Sequence, residues 1–257
     1  VTLFEFAKLT EEAGLPKGVF NIVTGEGEVV GNELASNKKV DFISFTGDTN
    51  TGKKIMEAAS RTVKKIQLEL GGKAPLITLK DADLEMTAEG AVVGGFWNTG
   101  QDCTAVTRVY VHERQHDKLV KLMVNIAKKF RLGNPLDHNS DMGPLVSEHQ
   151  REKVESYVQL GIDEGAKLQC GGKRPKGKLF EKGFFFEPTI FTDVMHGYHM
   201  CSREKLCSEE IFGPVIAVFK YKEVEEAIEQ ANDVNYGLAS SVYGSNISWC
   251  SPFKPII

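Results

Sequence analysis

Apolar runs of strand length alternate with helix-period stretches along this chain, and that alternation constrains its fold more than any other feature. Phe4, Ala7, Leu9 and Ala13 recur between polar residues, which predicts a helix over 4–13, ended by Gly14-Leu15-Pro16. Apolar runs at 19–23, 40–45 and 65–70 predict three strands. Between them, Gly25-Glu26-Gly27 opens a helical stretch through Val30 and Leu34, and a second helix is predicted from Lys53 to Arg61. The rhythm continues with strands at 74–78, 105–111 and 214–221 and helices at 84–96, 115–130, 148–161 and 224–232. The segment 133–144 reads as a polar loop and the Gly- and Lys-rich 171–183 as an exposed hairpin or loop. Strands joined by helical crossovers build a parallel, doubly wound sheet, and ligands gather at the carboxyl ends of its strands. Gly71-Gly72 marks the boundary between the first sheet and the rest.

Composition narrows the class further. The 257 residues are 41% hydrophobic and 26% charged, which excludes a disordered chain, a collagen-like chain and a small disulfide scaffold. With 31 basic and 35 acidic residues the net charge is −4, so neither nucleic acid nor a membrane is the expected partner. No apolar run approaches the ~20 residues of a membrane helix, and Val1-Thr2-Leu3-Phe4-Glu5 is not a signal-peptide start. Five cysteines without a C-x-x-C pair fit a reducing cytoplasm, where a special cysteine is catalytic rather than cross-linked.

Four places carry candidate chemistry. Cys103 follows a predicted helix and a glycine turn, Asn98-Thr99-Gly100-Gln101-Asp102, and leads into a strand. Such a turn holds a nucleophile rigidly at a sheet edge; a buried structural thiol is the alternative. Glu69 ends a strand-like run just before Gly71-Gly72-Lys73, the place for a general base, or else for a solvated edge carboxylate. Gly47-Asp48-Thr49-Asn50-Thr51-Gly52-Lys53-Lys54 has phosphate-loop spacing but lacks the final hydroxyl that would ligate magnesium. A helix N-terminus there still offers N–H groups to a phosphate, although Asp48 sets a negative charge against it. His196, His199, Cys201 and Cys207 match no zinc spacing, and no metal site is expected.

Together these pieces resemble the NAD(P)-dependent aldehyde dehydrogenase superfamily. Glu69-Leu70-Gly71-Gly72-Lys73 is similar to the family's glutamate signature and Phe96-x-x-x-Gly100-Gln101-x-Cys103-x-Ala105 to its cysteine signature, with the family's separation between Glu69 and Cys103. Phe45-Thr46-Gly47, Glu209-Glu210-Ile211-Phe212-Gly213-Pro214 and Asn235-Tyr236-Gly237-Leu238 are similar to three further motifs, in order. The branch that looks nearest is the aminobutyraldehyde or betaine aldehyde one. The resemblance implies part of a Rossmann-like NAD(P)-binding domain at 1–71, an α/β catalytic domain at 72–244 and an aberrant tail at 245–257. It implies Cys103 as the nucleophile that forms a thiohemiacetal and then a thioester, and Glu69 as the base for hydrolysis. Gly47, Asp48, Leu70, Glu210 and Phe212 are implied cofactor contacts, the cofactor NAD or NADP, and the substrate a small aldehyde.

The departures from the pattern matter as much. The family's P-W-N and K-P-x-E segments, which supply an oxyanion donor and an adenosine-ribose contact, have no counterpart, and after Tyr243 the family's next helix and strand are replaced by a tail without helical period. These departures imply truncation at both ends, by frameshift or early stop at the tail, and weak or absent activity of the isolated chain. Asp48 stands where the family usually has serine, and the stretch between Val194 and Glu209 is longer than the pattern, which bears on the placement of Glu210. A homo-oligomer, or a partner chain supplying the missing segments, is expected through the exposed sheet edge. Two competing functions stay open: a non-catalytic remnant, whose Cys103 reacts with thiol reagents no faster than Cys250, and a cofactor-independent thiol esterase.

Overall fold

The structure, a computed structural model, describes residues 2–194 and 205–246. The chain forms two compact units, Val1–Leu70 and Gly71–Ile257. The cluster members His196, His199 and Cys201, together with Cys250 and all but Ser245 and Asn246 of the tail, lie outside the described residues.

The first unit holds α1 (Thr2–Glu12), a π-helical turn over Gly27–Gly31 that runs into α2 (Asn32–Ser36), β1 (Phe42–Thr46), α3 (Thr49–Ser60) and β2 (Lys65–Glu69). β1 and β2 pair in parallel, Ile43 with Ile66 and Phe45 with Leu68, so the half-buried apolar residues of both strands share one face. Ala35 and Ala59 are the only fully buried apolar side chains of this unit among the described residues. The strand expected at 19–23 is not formed. Val19 and Val23 are 65% and 67% exposed, and a β-propensity run becomes a strand only where a neighbouring strand takes up its backbone groups.

α3 begins four residues earlier than expected because Asp48 caps it. The Asp48 carboxylate accepts from the N–H groups of Asn50 and Thr51 at 2.8 and 3.1 Å. Asp48→Ala is expected to lower stability by about 1 kcal/mol, the usual contribution of an N-cap, as a shift of the urea midpoint with an unchanged slope.

The second unit contains β3 (Pro75–Thr78), α4 (Leu84–Phe96), β4 (Arg108–His112), α5 (His116–Ala127), α6 (Glu148–Asp163), β5 (Lys167–Cys170), β6 (Thr189–Thr192), α7 (Lys205–Ser208), β7 (Val215–Tyr221), α8 (Val224–Asn232) and β8 (Ser241–Tyr243). The sheet order is β5-β6-β7-β4-β3-β8. All pairings are parallel except β5 with β6, so the sheet is mixed rather than wholly parallel. β5 has no apolar run to announce it: Lys167 and Leu168 are exposed, its pairing carries an irregularity between Leu168 and Cys170, and it borrows order from β6. β4 starts at Arg108 rather than 105, because the N–H groups of Ala105 and Val106 are taken by the carbonyls of Asp102 in the preceding turn and Gly94 in α4.

Both faces of this sheet are buried, as parallel strands require. Leu76, Val109, Val111, Ile216 and Val218 pack on one side with Ala88, Val92 and Phe96 of α4 and Leu119 and Met123 of α5. Ile77, Tyr110, Phe191 and Phe219 pack on the other with Val154 and Val158 of α6 and Ala227 and Ala231 of α8. Each fully buried side chain of this kind contributes about 1.5–3 kcal/mol. Among the described residues no helix is long and apolar enough to cross a membrane.

Candidate active site

The turn that carries Cys103 is wound against backbone preference. After α4, Asn98, Thr99 and Gly100 take φ values of 50°, 62° and 69° in succession. Left-handed conformation at a non-glycine residue costs about 1–2 kcal/mol, so side-chain bonds must hold the turn. The buried Thr99 hydroxyl donates to the Gly143 carbonyl at 3.1 Å, and Asn98 Nδ2 donates to the Gln101 carbonyl at 2.9 Å. Gln101 Oε1 accepts from the Val146 N–H at 2.9 Å, and Asp102 Oδ1 accepts from the Thr104 N–H and hydroxyl, both at 2.8 Å. Cys103 stands half-buried between these anchors, which departs from a fully buried structural thiol.

Gly72 joins this turn to a second one. A Cβ at Gly72 would stand 2.2 Å from the Cys103 carbonyl oxygen, so the two backbones touch. The Gly72 N–H donates to Glu210 Oε1 at 2.9 Å, while Glu210 Oε2 lies against Gly71. Glu210 is therefore brought to the glycines that follow Leu70, on the same residue that meets Cys103.

The Glu209–Gly213 segment is clamped along its length. Lys73 Nζ donates to the Leu206 and Glu209 carbonyls at 2.9 and 2.6 Å. Tyr157 OH donates to the Glu209 carboxylate, and the Glu210 N–H donates to Tyr236 OH at 3.4 Å. Gln150 Nε2 donates to the carbonyls of Ile211 and Phe212 at 3.0 and 2.8 Å, and Phe212 itself sits at φ 59°. Burial pushes the Lys73 ammonium down to about 7 and, together with the Glu209 carboxylate, pushes the Tyr157 phenol well up. Sequence reasoning assigned no role to Lys73 or Tyr236, although both stand inside quoted motifs. Gln150 and Tyr157 lie on an ordinary amphipathic helix, and nothing local marks them.

In the first unit, Glu69 is exposed at the carboxyl end of β2, and its carbonyl accepts from the Gly47 N–H at 3.0 Å. The Leu70 side chain lies against Gly52 in the first turn of α3. Asp48 already occupies the N–H groups of Asn50 and Thr51 at that helix start. A cavity of about 500 Å³ opens between the π-turn, α2 and α3, lined by Gly27, Gly31, Asn32, Phe45, Thr51 and Lys54 among others. Its glycines belong to the run at 25–31, a signal read only as a helix start. Among the described residues no group of three or more His, Cys, Asp or Glu side chains is gathered to hold a metal.

Comparison with known proteins gives the family of the chain. The model of the aldehyde dehydrogenase family matches residues 1–254. Betaine aldehyde dehydrogenase of Bacillus subtilis is 49% identical over 251 residues, covering 97% of this chain and 50% of that protein. Betaine aldehyde dehydrogenase of Brucella anthropi is 45% identical over 242 residues, covering 94% of this chain and 48% of that protein. The structure of Staphylococcus aureus betaine aldehyde dehydrogenase in complex with NAD+ superposes with a TM-score of 0.93 at 40% identity, covering 98% of this chain and 49% of that one. The NAD+ complex of Bacillus cereus aldehyde dehydrogenase gives 0.91 at 41% identity, with the same shares covered. The chain spans about half the length of the curated relatives it matches. The resemblance drawn from its motifs thus holds over nearly the whole sequence, and the chain belongs to the aldehyde dehydrogenase family.

Proposed function

We propose that this chain carries the thiol and dinucleotide-holding parts of an NAD-dependent oxidation of an aldehyde to a carboxylate, with residues 1–71 as part of the cofactor domain and 72–244 as the catalytic domain. The observation that supports this most is the junction at Gly72. One residue meets the backbone of Cys103 and hydrogen-bonds the carboxylate of Glu210, so a substrate on the sulfur and a ribose on the carboxylate become neighbours. Glu210 spends one oxygen on Gly72 and presents the other to a ribose hydroxyl, with Phe212 beside it, and the cavity of about 500 Å³ in the first unit has the volume of a small-molecule site.

In this reading the Cys103 thiolate bonds to the aldehyde carbon, and the Cys103 N–H donates to the oxyanion of the thiohemiacetal. Bound NAD supplies the hydride acceptor. The thioester left on Cys103 is then attacked by water, Glu69 takes the proton from that water, and the carboxylate product departs from the sulfur. The relative at 49% identity suggests a betaine aldehyde as the substrate class. A partner chain or a second copy is proposed to cover the first unit, where Leu3, Phe4, Phe6 and Leu9 are each at least half exposed.

Calorimetric titration of NAD into the chain, followed by addition of betaine aldehyde, tests this. The expected result is saturable NAD binding and strictly aldehyde-dependent NADH formation. Hydrolysis of activated esters without NAD binding would instead support a thiol esterase. Alkylation of Cys103 no faster than that of Cys170, whose thiol burial pushes up, would support a remnant.

A further inference from the structure

Lys73 is 3% exposed, yet among the described residues no carboxylate lies at ion-pairing distance from its ammonium. Its Nζ instead holds two main-chain carbonyls, those of Leu206 and Glu209. Its own carbonyl accepts from Arg108 Nε at 2.9 Å, and the buried Arg108 is in turn held by the carbonyls of Gln230 and Ala231 at 3.3 and 2.8 Å. The residue before Lys73 is Gly72, which binds the Glu210 carboxylate. Two adjacent residues therefore grip two adjacent residues. Lys73 fixes the peptide that leads into Glu210, and Gly72 fixes the end of its side chain.

Packing alone does not call for an ammonium here. A methionine fills the same stem without the desolvation that depresses this lysine, to which the charges of Arg108 and Lys153 add and which Cys207 and Glu210 oppose. What methionine lacks is the N–H donors.

We propose that Lys73 is a positioning residue, whose two bonds to the Leu206 and Glu209 carbonyls keep the Glu210 carboxylate on the Gly72 amide and aimed at the ribose hydroxyls of a bound dinucleotide. The ribose contact rests on the function proposed above. The grip itself does not, and the two are read separately.

The test is amide hydrogen exchange on the full chain, with and without Lys73→Met. The expected result is about tenfold faster exchange at the Gly72 N–H, with unchanged exchange at the core amides of β4 and β7. Stability supplies a second readout, one that reports the burial of the ammonium, while the exchange at Gly72 against unchanged core amides is what separates the grip from packing. A lysine depressed to about 7 is a destabilising charge below that pH. Its folded form releases the proton well before the unfolded form does at ~10.4, so stability of the parent rises with pH between those values. The advantage of Lys73→Met over the parent is therefore largest below pH 7 and closes above it.

Unchanged Gly72 exchange in Lys73→Met overturns the proposal, whatever happens to NAD. Lys73→Leu, which likewise lacks N–H donors, serves if the methionine variant does not fold, and exchange at Gly72 as slow in Lys73→Leu as in the parent then overturns the proposal. NAD titration is the second arm. Glu210→Gln and Lys73→Met are each expected to weaken NAD about tenfold, the effect of one charge-assisted bond. Gly72 exchange that quickens in Lys73→Met while Glu210→Gln leaves NAD affinity intact supports the grip and removes the ribose reading.

Discussion

Cys103→Ala is expected to reduce aldehyde-dependent NADH formation to the uncatalysed background, a loss of at least about 10³-fold, while leaving NAD affinity within twofold of the parent. The physical reason is that no covalent intermediate forms without the sulfur. Removing a nucleophile commonly costs several orders of magnitude even when all binding groups remain. Cys103 is half-buried in a turn held by the side-chain bonds of Thr99, Gln101 and Asp102, which the substitution leaves in place. Initial rates by NADH absorbance and calorimetry with NAD decide it. Retention of more than a hundredth of the parent rate would remove Cys103 from the chemistry.

The second large effect is expected from Gly72→Ala. The new Cβ would lie 2.2 Å from the Cys103 carbonyl oxygen, 3.4 Å from its carbonyl carbon and 3.6 Å from Leu238 Cβ. Two of these three atoms are backbone and cannot rotate away. Either the chain entering β3 or the Cys103 turn has to move, and the Gly72 bond to Glu210 moves with it. Overpacking of this kind costs about 1–3 kcal/mol, and a displacement of about 1 Å at reacting groups lowers rate about 10²-fold. Gly71→Ala is the internal comparison. Its Cβ would meet Glu210 Oε2 at 2.4 Å, the far end of a side chain that is able to swing aside. The Gly71 variant should weaken NAD more than it slows Cys103 alkylation, whereas the Gly72 variant should impair both and unfold earlier.

Much of the fold was legible from periodicity. α4 and α8 occupy the expected residues, and β1, β2, β3 and β7 differ from expectation by a residue or two, because each carries an apolar run or stripe matched to the core it faces. β5, β6, β8 and α7 carried no such mark. β5 and β8 are edge strands that take their backbone partners from β6 and β3, and their order comes from that pairing rather than from their own residues. The strand expected at 19–23 did not form for the converse reason: the propensity was present, and among the described residues no strand pairs with it.

At the candidate site the division is sharper. Residue type and position alone singled out the sulfur at 103 and the carboxylate at 69, beside Gly71-Gly72, as candidates, whereas Glu210 entered only through the resemblance of its motif to the family's. Only the tertiary structure decided that Glu210 is seated on Gly72 across 138 positions, that Lys73, Tyr157 and Gln150 grip its segment, and that the Asp48 carboxylate caps α3 through the N–H groups of Asn50 and Thr51. A hydrogen bond acts over about 3 Å whatever the distance along the chain, and local sequence pattern carries no record of which distant backbone a side chain meets.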